Sequence, residues 1–510
     1  MRSISKPLLV IWLSSLLSSL FIAFIPARAQ EKTPMAKPSQ AMFRTGEKKE
    51  AIIARLEQRI PQLMKEGDVP GLSVAMLREG KLVWHRGFGV KNSKTSEQVT
   101  DSTIFEAASL SKPVFAYAVL KLVEAGKMDL DTPLNKYMSG NYDVGDDVRL
   151  GQITARRVLS HTTGFPNWRP RGRELKIYFT PGEKFSYSGE GFVYLSKVVE
   201  RITGDAFNDL MKKLVFDPLG MNSSSYVWQE IYESQKADSH NVKGEPTGRS
   251  KPAQANAAAS LHTTAEDYAK FVAAILNANG LKKDTIKKML TPQIKVDEGG
   301  TNTTNRPADR LSPYISWGLG WGLQQTSDGL SFWHWGDNGN FKAYIVAYEK
   351  QKCAVIVFAN SANGLSIVPE IVSSTFGGHQ PALSWINYET YNSPGRLLFK
   401  NILAKGATEP LREYRLWRAG RASGEIINES RMNQLGYDLL AVNKVKDAIE
   451  VFKLNVEDYP QSYNTWDSLA EAYMTAGEKE LAIKNYERSI ELNPDNTNGI
   501  EMLKKLRGNQ

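Results

Sequence analysis

The stretch Phe105-Glu106-Ala107-Ala108-Ser109-Leu110-Ser111-Lys112-Pro113, with the apolar run after it, constrains the fold more than any other part of the chain. Pro113 has no backbone N–H. It fits a helix only in the first turn, where that donor has no intrahelical partner anyway. Val114, Phe115, Tyr117, Ala118, Leu120, Leu122 and Val123 follow and leave no clear polar stripe. A helix this apolar must be surrounded, so the rest of the chain has to build a core around it. Ser109 then sits at the mouth of a core helix. Lys112, three residues on, lies one turn away on the same side.

A serine hydroxyl is a weak nucleophile and needs a base. A lysine serves only when neutral, and burial pushes it toward that state. The N-terminal end of a helix also favours the negative charge that develops as a serine attacks a carbonyl. Four residues by themselves favour the plainer description, an N-cap serine followed by a solvated lysine. The context decides.

The N-terminus reads as a secretory signal over residues 1–29. Arg2 and Lys6 precede an apolar stretch over 8–25, and Ala27-Arg28-Ala29 is a small-x-small cleavage site. The alternative is an uncleaved N-terminal anchor, since the apolar stretch is nearly long enough to span a bilayer. The expected location is periplasmic or secreted, with no stable membrane span after cleavage. Residues 30–47, with Glu31-Lys32-Thr33-Pro34, read as a flexible leader. The single cysteine, Cys353, lies in a strand-like apolar run and reads as a buried small residue, with no disulfide possible within one chain. The net charge of +9 is spread among acids without a basic run, which argues against nucleic-acid binding. The length, 510 residues, calls for more than one domain.

Ile52, Ile53, Leu56, Ile60 and Leu63 recur at helical spacing. Residues 71–78 and 81–87 read as strands around a Glu79-Gly80 turn. Helices are expected over 153–164, with Gly164 as the stop, over 192–202 and over 261–276. Residues 229–251 are polar and read as a long surface excursion, and 291–312 as a mobile loop. Residues 344–348 and 353–358 form an antiparallel pair turning at Lys350-Gln351-Lys352. Strands at both ends flank a helical middle, the pattern of an α+β fold with one antiparallel sheet and helices packed on it.

Three elements in this order resemble the serine β-lactamase and penicillin-binding superfamily, in the branch of class C β-lactamases, D,D-carboxypeptidases, D-aminopeptidases and related esterases. Ser109-Leu110-Ser111-Lys112 resembles the Ser-x-x-Lys motif. Tyr187-Ser188 resembles the start of Tyr-x-Asn, and His334-Trp335-Gly336 the His-x-Gly variant of Lys-Thr-Gly. Val158-Leu159-Ser160-His161-Thr162-Thr163-Gly164 is also similar to this branch, and the resemblance runs over about 48–378. It implies a β-lactamase/transpeptidase-like fold over 48–394 and a serine hydrolase that works through an acyl-enzyme on an ester, D-amino-acid peptide or β-lactam-like carbonyl. It further implies that Ser109 is the nucleophile and that Lys112 accepts its proton or orients the base. Tyr187 would shuttle a proton to the leaving group, as a phenolate only if cations lower its pKa. His334 would line the opposite wall and help hold tyrosine and substrate. The backbone N–H groups of Ser109 and Asp337 would form the oxyanion hole, with Gly189, Trp335 and Gly336 at the substrate.

Two departures stand out. Gly189 occupies the place of the motif's Asn, which bonds the lysine and a substrate amide; Ser188 and Glu190 are the neighbours that could take over. His334 and Trp335 replace Lys and Thr, a pattern of peptidase- and esterase-like members. Both argue against efficient antibiotic degradation. His161 and His262 read as structural, in helical contexts. The six histidines show no metal spacing, and neither metal nor cofactor is expected.

Residues 395–510 read as all-helical. Leu435, Gly436, Leu439, Ala448, Phe452 and Pro460 return 34 positions later as Leu469, Ala470, Tyr473, Ala482, Tyr486 and Pro494. This resembles two tetratricopeptide repeats, about 429–462 and 463–496. A degenerate helix pair is expected over 397–431 and a capping helix over 498–506. Two readings of the repeats stand: a groove for a protein partner, or a stabilising lid on the hydrolase. The second function class is a non-turnover sensor or scaffold that signals through the repeats. The retained serine, lysine and tyrosine favour an enzyme acting on a small-molecule or peptidoglycan-derived substrate.

Overall fold

The computed structural model describes residues 46–508 except 139, 141, 170–171, 297–313, 420 and 422–425. The expected signal segment and nearly all of the leader lie outside the described residues, as does most of the loop expected over 291–312.

The strands, in chain order, are β1 (Gly71–Arg78), β2 (Lys81–Asn92), β3 (Glu97–Gln98), β4 (Phe105–Glu106), β5 (Ser239–His240), β6 (Pro246–Gly248) and β7 (His262–Thr263). They continue as β8 (Ile294–Lys295), β9 (Ile315–Trp317), β10 (Gly322–Thr326), β11 (Gly329–Asp337), β12 (Lys342–Tyr348) and β13 (Cys353–Ala359). Among the described residues, nine form one antiparallel sheet ordered β3-β2-β1-β13-β12-β11-β10-β9-β8. The ends of the domain meet at its centre, where Val74 opposes Val357 and Leu77 opposes Ala354. Side chains alternate across this sheet. Val74, Met76, Val355 and Val357 face helix α1 (Lys49–Gly67) through Ile52, Leu56, Ile60 and Leu63. Ala75, Leu77, Ile356 and Phe358 face the helical layer that holds the core helix.

That core helix, α2 (Ser111–Glu124), is buried from Ser111 through Leu120 and again at Leu122, as its sequence requires. Other expectations need correcting. The helix expected over 153–164 exists only as α3 (Ala155–Leu159), capped by the Thr154 side chain. It ends because His161 takes a left-handed conformation, φ 55°, which no helix continues. The helix expected over 261–276 begins at Ala265, again behind a capping threonine, Thr264. His262 lies on β7 rather than on a helix. Residues 229–251 are not a surface excursion: Lys236 and His240 are fully buried there, and β5 and β6 pair. The helix expected over 192–202 is α4 (Gly189–Thr203).

Helices Pro394–Lys405 and Thr408–Arg418 precede the pairs Glu429–Ala441 with Val445–Asp458 and Tyr463–Ala476 with Lys479–Leu492, closed by Thr497–Arg507. Ala448, Phe452, Ala482 and Tyr486 are all fully buried, as expected for positions where paired helices touch. This segment has an apolar cluster of its own, in which Val242 is the contribution of the preceding domain among the described residues. Polar contacts tie the two together: Arg396 and Lys400 reach Asp68 at 3.3 and 2.9 Å, and Arg173 meets Glu501 at 2.6 Å.

Candidate active site

The residues before α2 form a tight turn, Ala108–Leu110, in which Ala108 has φ 49°. A non-glycine residue there is strained and persists only where its surroundings hold it. They do so here. Ala107 N–H donates to Leu261 O at 2.8 Å, and Tyr268 Oη donates to Leu110 O at 3.1 Å. Tyr226 Oη donates to Ser111 O at 2.7 Å. Ser109 alone in residues 103–120 reaches solvent. Ser111, the other serine beside the lysine, is fully buried. Its Oγ donates to Ala108 O at 2.5 Å and accepts from Leu261 N–H at 3.0 Å, which leaves it no part in surface chemistry.

Lys112 Nζ donates to Ser109 Oγ at 3.0 Å and to Ala258 O at 2.8 Å. The side chain is fully buried, and that burial pushes its pKa down to about 7. Three rings surround the ammonium, those of Tyr187 at 4.9 Å, Phe192 at 5.8 Å and Trp168 at 5.9 Å from Nζ to centroid. Lysine therefore faces the ring of Tyr187. Burial pushes the Tyr187 hydroxyl well above the usual tyrosine range, against the opposing pull of Ser109. A phenolate at neutral pH is thereby disfavoured, and Tyr187 is a neutral hydroxyl beside the nucleophile.

His334 is also fully buried, and burial together with Lys112 lowers its pKa to about 3. Its Nδ1 lies 2.7 Å from Trp335 O, which makes Nδ1 the protonated nitrogen and leaves Nε2 a buried acceptor without a partner among the described residues. Its ring is 6.1 Å from that of Tyr187 and stacks on Trp335 at 5.2 Å. His334 thus shapes the wall by packing. Trp335 itself, expected at the substrate, is buried among Trp317, Trp333 and Trp385. Gly336 has a plain reason: a Cβ there would stand 2.4 Å from Ala107 O, so only glycine lets β11 press against the nucleophile turn. Asp337 ends that strand, its carboxylate held by Lys342 and Tyr388 and by Gly339 N–H at 2.8 Å.

His161, read as structural and helical, lies at the site. Its ring stacks on Tyr187 at 4.3 Å, its Nδ1 accepts from Ser188 N–H at 3.0 Å, and its carbonyl accepts from Ser186 N–H at 2.8 Å. It fixes the loop on which Tyr187 sits. Trp168 has no signal in the motifs. Its indole occupies the space in front of Gly189, where a Cβ would fall 2.6 to 2.9 Å from three ring carbons. The expected substitutes for the missing Asn are engaged elsewhere. Ser188 Oγ donates to Pro166 O and caps α4 through Gly191 N–H. Glu190 accepts from the Arg169 backbone and guanidinium at 3.1 and 3.0 Å. No group of three or more metal-ligating side chains is found among the described residues.

An antiparallel sheet whose strand end presses on a strained serine turn, with a buried lysine one turn away, defines the serine β-lactamase and penicillin-binding fold. The Beta-lactamase family model matches residues 56–370, and the chain belongs to that family of serine hydrolases. A tetratricopeptide repeat model matches residues 463–496. Penicillin-binding protein 4 of Amycolatopsis lactamdurans is 25% identical over 355 residues, 64% of this chain and 89% of that protein. Protein flp of Staphylococcus aureus (strain MW2) is 22% identical over 329 residues; the match covers 61% of this chain and 63% of that protein's length. Among solved structures, the octameric penicillin-binding protein homologue from Pyrococcus abyssi superposes with a TM-score of 0.52 at 25% identity, covering 69% of this chain and 81% of that one. D-alanine carboxypeptidase AmpC from Burkholderia cenocepacia shares the fold, with a TM-score of 0.52 at 18% identity over 64% of this chain and all of that one.

Proposed function

We propose that this chain is an exported serine hydrolase that forms an acyl-enzyme on Ser109 and prefers esters to amides and β-lactams. The observation that carries the reading is the 3.0 Å contact between a solvent-reaching serine and a fully buried lysine whose pKa is lowered to about 7. Neutral Lys112 takes the Ser109 proton as Oγ bonds to the carbonyl carbon. The tetrahedral oxyanion faces the backbone N–H groups of Ser109 and Asp337. The carbon–oxygen bond to the leaving alkoxide then breaks, and the proton passes from Lys112 to that oxygen, with the neutral Tyr187 hydroxyl as relay. Water repeats the sequence on the acyl-enzyme, releasing the acid and returning the proton to Ser109.

The ester preference follows from the Gly189 wall. A site that lacks the hydrogen bond an amide needs gives up discrimination in the amide's favour. The repeats offer a surface for a protein partner in the same exported compartment. The test is a turnover panel with purified protein: a nitrophenyl ester, a D-Ala-D-Ala peptide, a D-aminoacyl anilide and a chromogenic cephalosporin. Ester hydrolysis abolished by Ser109→Ala, with weak cephalosporin turnover, is the expected result. A cephalosporin kcat/KM well above that for the ester contradicts the preference, and full activity of Ser109→Ala contradicts the mechanism.

A further inference from the structure

The polar groups that flank Gly189 are tied to one another. Asn167 Oδ1 accepts from Gly189 N–H at 3.1 Å, and Asn167 O accepts from both Gly189 and Glu190 N–H. Glu190 is held by Arg169, and Ser188 Oγ by Pro166 O and Gly191 N–H. Neither Ser188 nor Glu190 is left to read a substrate amide. The residue between Asn167 and Arg169 is Trp168. It is pinned on both sides, its ring edge lies on Gly189, and its face is 5.9 Å from Lys112 Nζ. Trp168 is nevertheless 45% exposed. A large apolar ring held in place beside a nucleophile, half open to solvent, is a surface prepared for a flat apolar group.

We propose that Trp168 determines the acyl specificity of the site: it fills the space a carboxamide at position 189 would need, and its open face takes a planar apolar acyl group, aryl in preference to short alkyl. Positions 168 and 189 are then coupled, since a side chain at 189 and an indole at 168 exclude each other. The proposal rests on the hydrolase reading of Ser109. It is therefore tested against a readout of that reading, fluorophosphonate labelling of Ser109.

The experiment compares nitrophenyl phenylacetate with nitrophenyl acetate, which share a leaving group and differ in the acyl part. The ratio of their kcat/KM values is measured for the native protein and for Trp168→Ala, Trp168→Phe and Gly189→Asn. The double variant Trp168→Ala/Gly189→Asn completes the cycle. An aromatic contact of this kind predicts a ratio that falls about fivefold to tenfold in Trp168→Ala and is largely recovered in Trp168→Phe. Gly189→Asn alone loses activity on both esters, and removing the indole restores it. In the native protein, benzylboronic acid, which forms a reversible adduct with a serine hydroxyl, should inhibit at lower concentration than methylboronic acid. An unchanged ester ratio in Trp168→Ala with Ser109 still labelled overturns the role of Trp168 and leaves the hydrolase intact. Equal inhibition by the two boronates overturns it without recourse to any variant. A native protein that is neither labelled nor inhibited overturns the hydrolase reading itself.

Discussion

Lys112 makes the chemistry pH-dependent in a definite direction. Its pKa is lowered to about 7, so below that value the side chain carries a proton and cannot accept another from Ser109. Ester kcat/KM should rise about tenfold per pH unit below pH 7 and level off above it. His334, at about 3, is neutral throughout this range and adds no second limb. A profile flat between pH 5 and 8 would remove Lys112 as the base. Lys112→Arg keeps the charge but cannot deprotonate, and should lose about 10²–10⁴ in kcat. His161 acts one step further out. It stacks on Tyr187 and holds Ser188, so His161→Ala should lower kcat more than it raises KM, whereas His161→Phe, which keeps the stack, should recover part of the loss. Equal kcat in the alanine variant would show that the loop holds Tyr187 unaided. Ser109 and Lys112 are legible from sequence because a helix fixes residues three apart on one side. Trp168 and His161 are not, because they reach the site through loops whose path no periodicity encodes.

The elements around the nucleophile turn are joined by a buried ion pair that spans four segments. Lys236 Nζ meets Glu106 Oε1 at 2.7 Å, with both side chains nearly inaccessible, and also donates to Ser250 O. The other Glu106 oxygen accepts from Asn338 Nδ2 at 2.9 Å. β4, which leads into the Ser109 turn, is thereby tied to the residue after Asp337. Burial lowers the Lys236 pKa while Glu106 opposes the shift. Such a pair is weak evidence of net stability, but removing one member strands a buried charge and costs about 3–5 kcal/mol. Glu106→Ala should therefore lower the urea midpoint sharply and reduce kcat, while Glu106→Ala/Lys236→Met should recover stability more than activity. Recovery of both in the double variant would mean that the pair does not set the turn. Nothing in the local sequence announces this pair. β1, β12 and β13 are long apolar strands with a clear turn between the last two, and α2 declares itself by composition. β4 and β7 are two residues each, and Lys236 lies in a stretch whose polarity imitates a surface loop. Its burial is set by a partner 130 residues away.

At the scale of the whole molecule, the question is whether the repeats stabilise the hydrolase or only sit beside it. The repeat helices bury their own apolar residues, from Leu398 to Ala472, and draw only Val242 from the preceding domain among the described residues. What joins the two is mostly polar: Asp68 with Arg396 and Lys400, and the exposed pair of Arg173 with Glu501. The exposed Arg173–Glu501 pair contributes little, typically under about 1 kcal/mol. Tyr388, which bonds the Asp337 carboxylate at the end of β11, lies before the helix that starts at Pro394 and would remain after truncation. Removing residues 395–510 therefore exposes little apolar surface on the hydrolase and leaves its site residues in place. A protein ending at Pro394 should be soluble and hydrolyse the best small ester with kcat within about threefold of the full chain, as expected for domains joined by a small polar interface. Arg396 offers the sharper check, because it is buried against Asp68 and the Val242 carbonyl. If those contacts only dock the repeats, Arg396→Ala in the full chain should ease proteolysis between the two parts and leave ester kcat unchanged. Insoluble truncated protein, or a hundredfold fall in kcat with the fold intact, would instead make the repeats part of the catalytic unit.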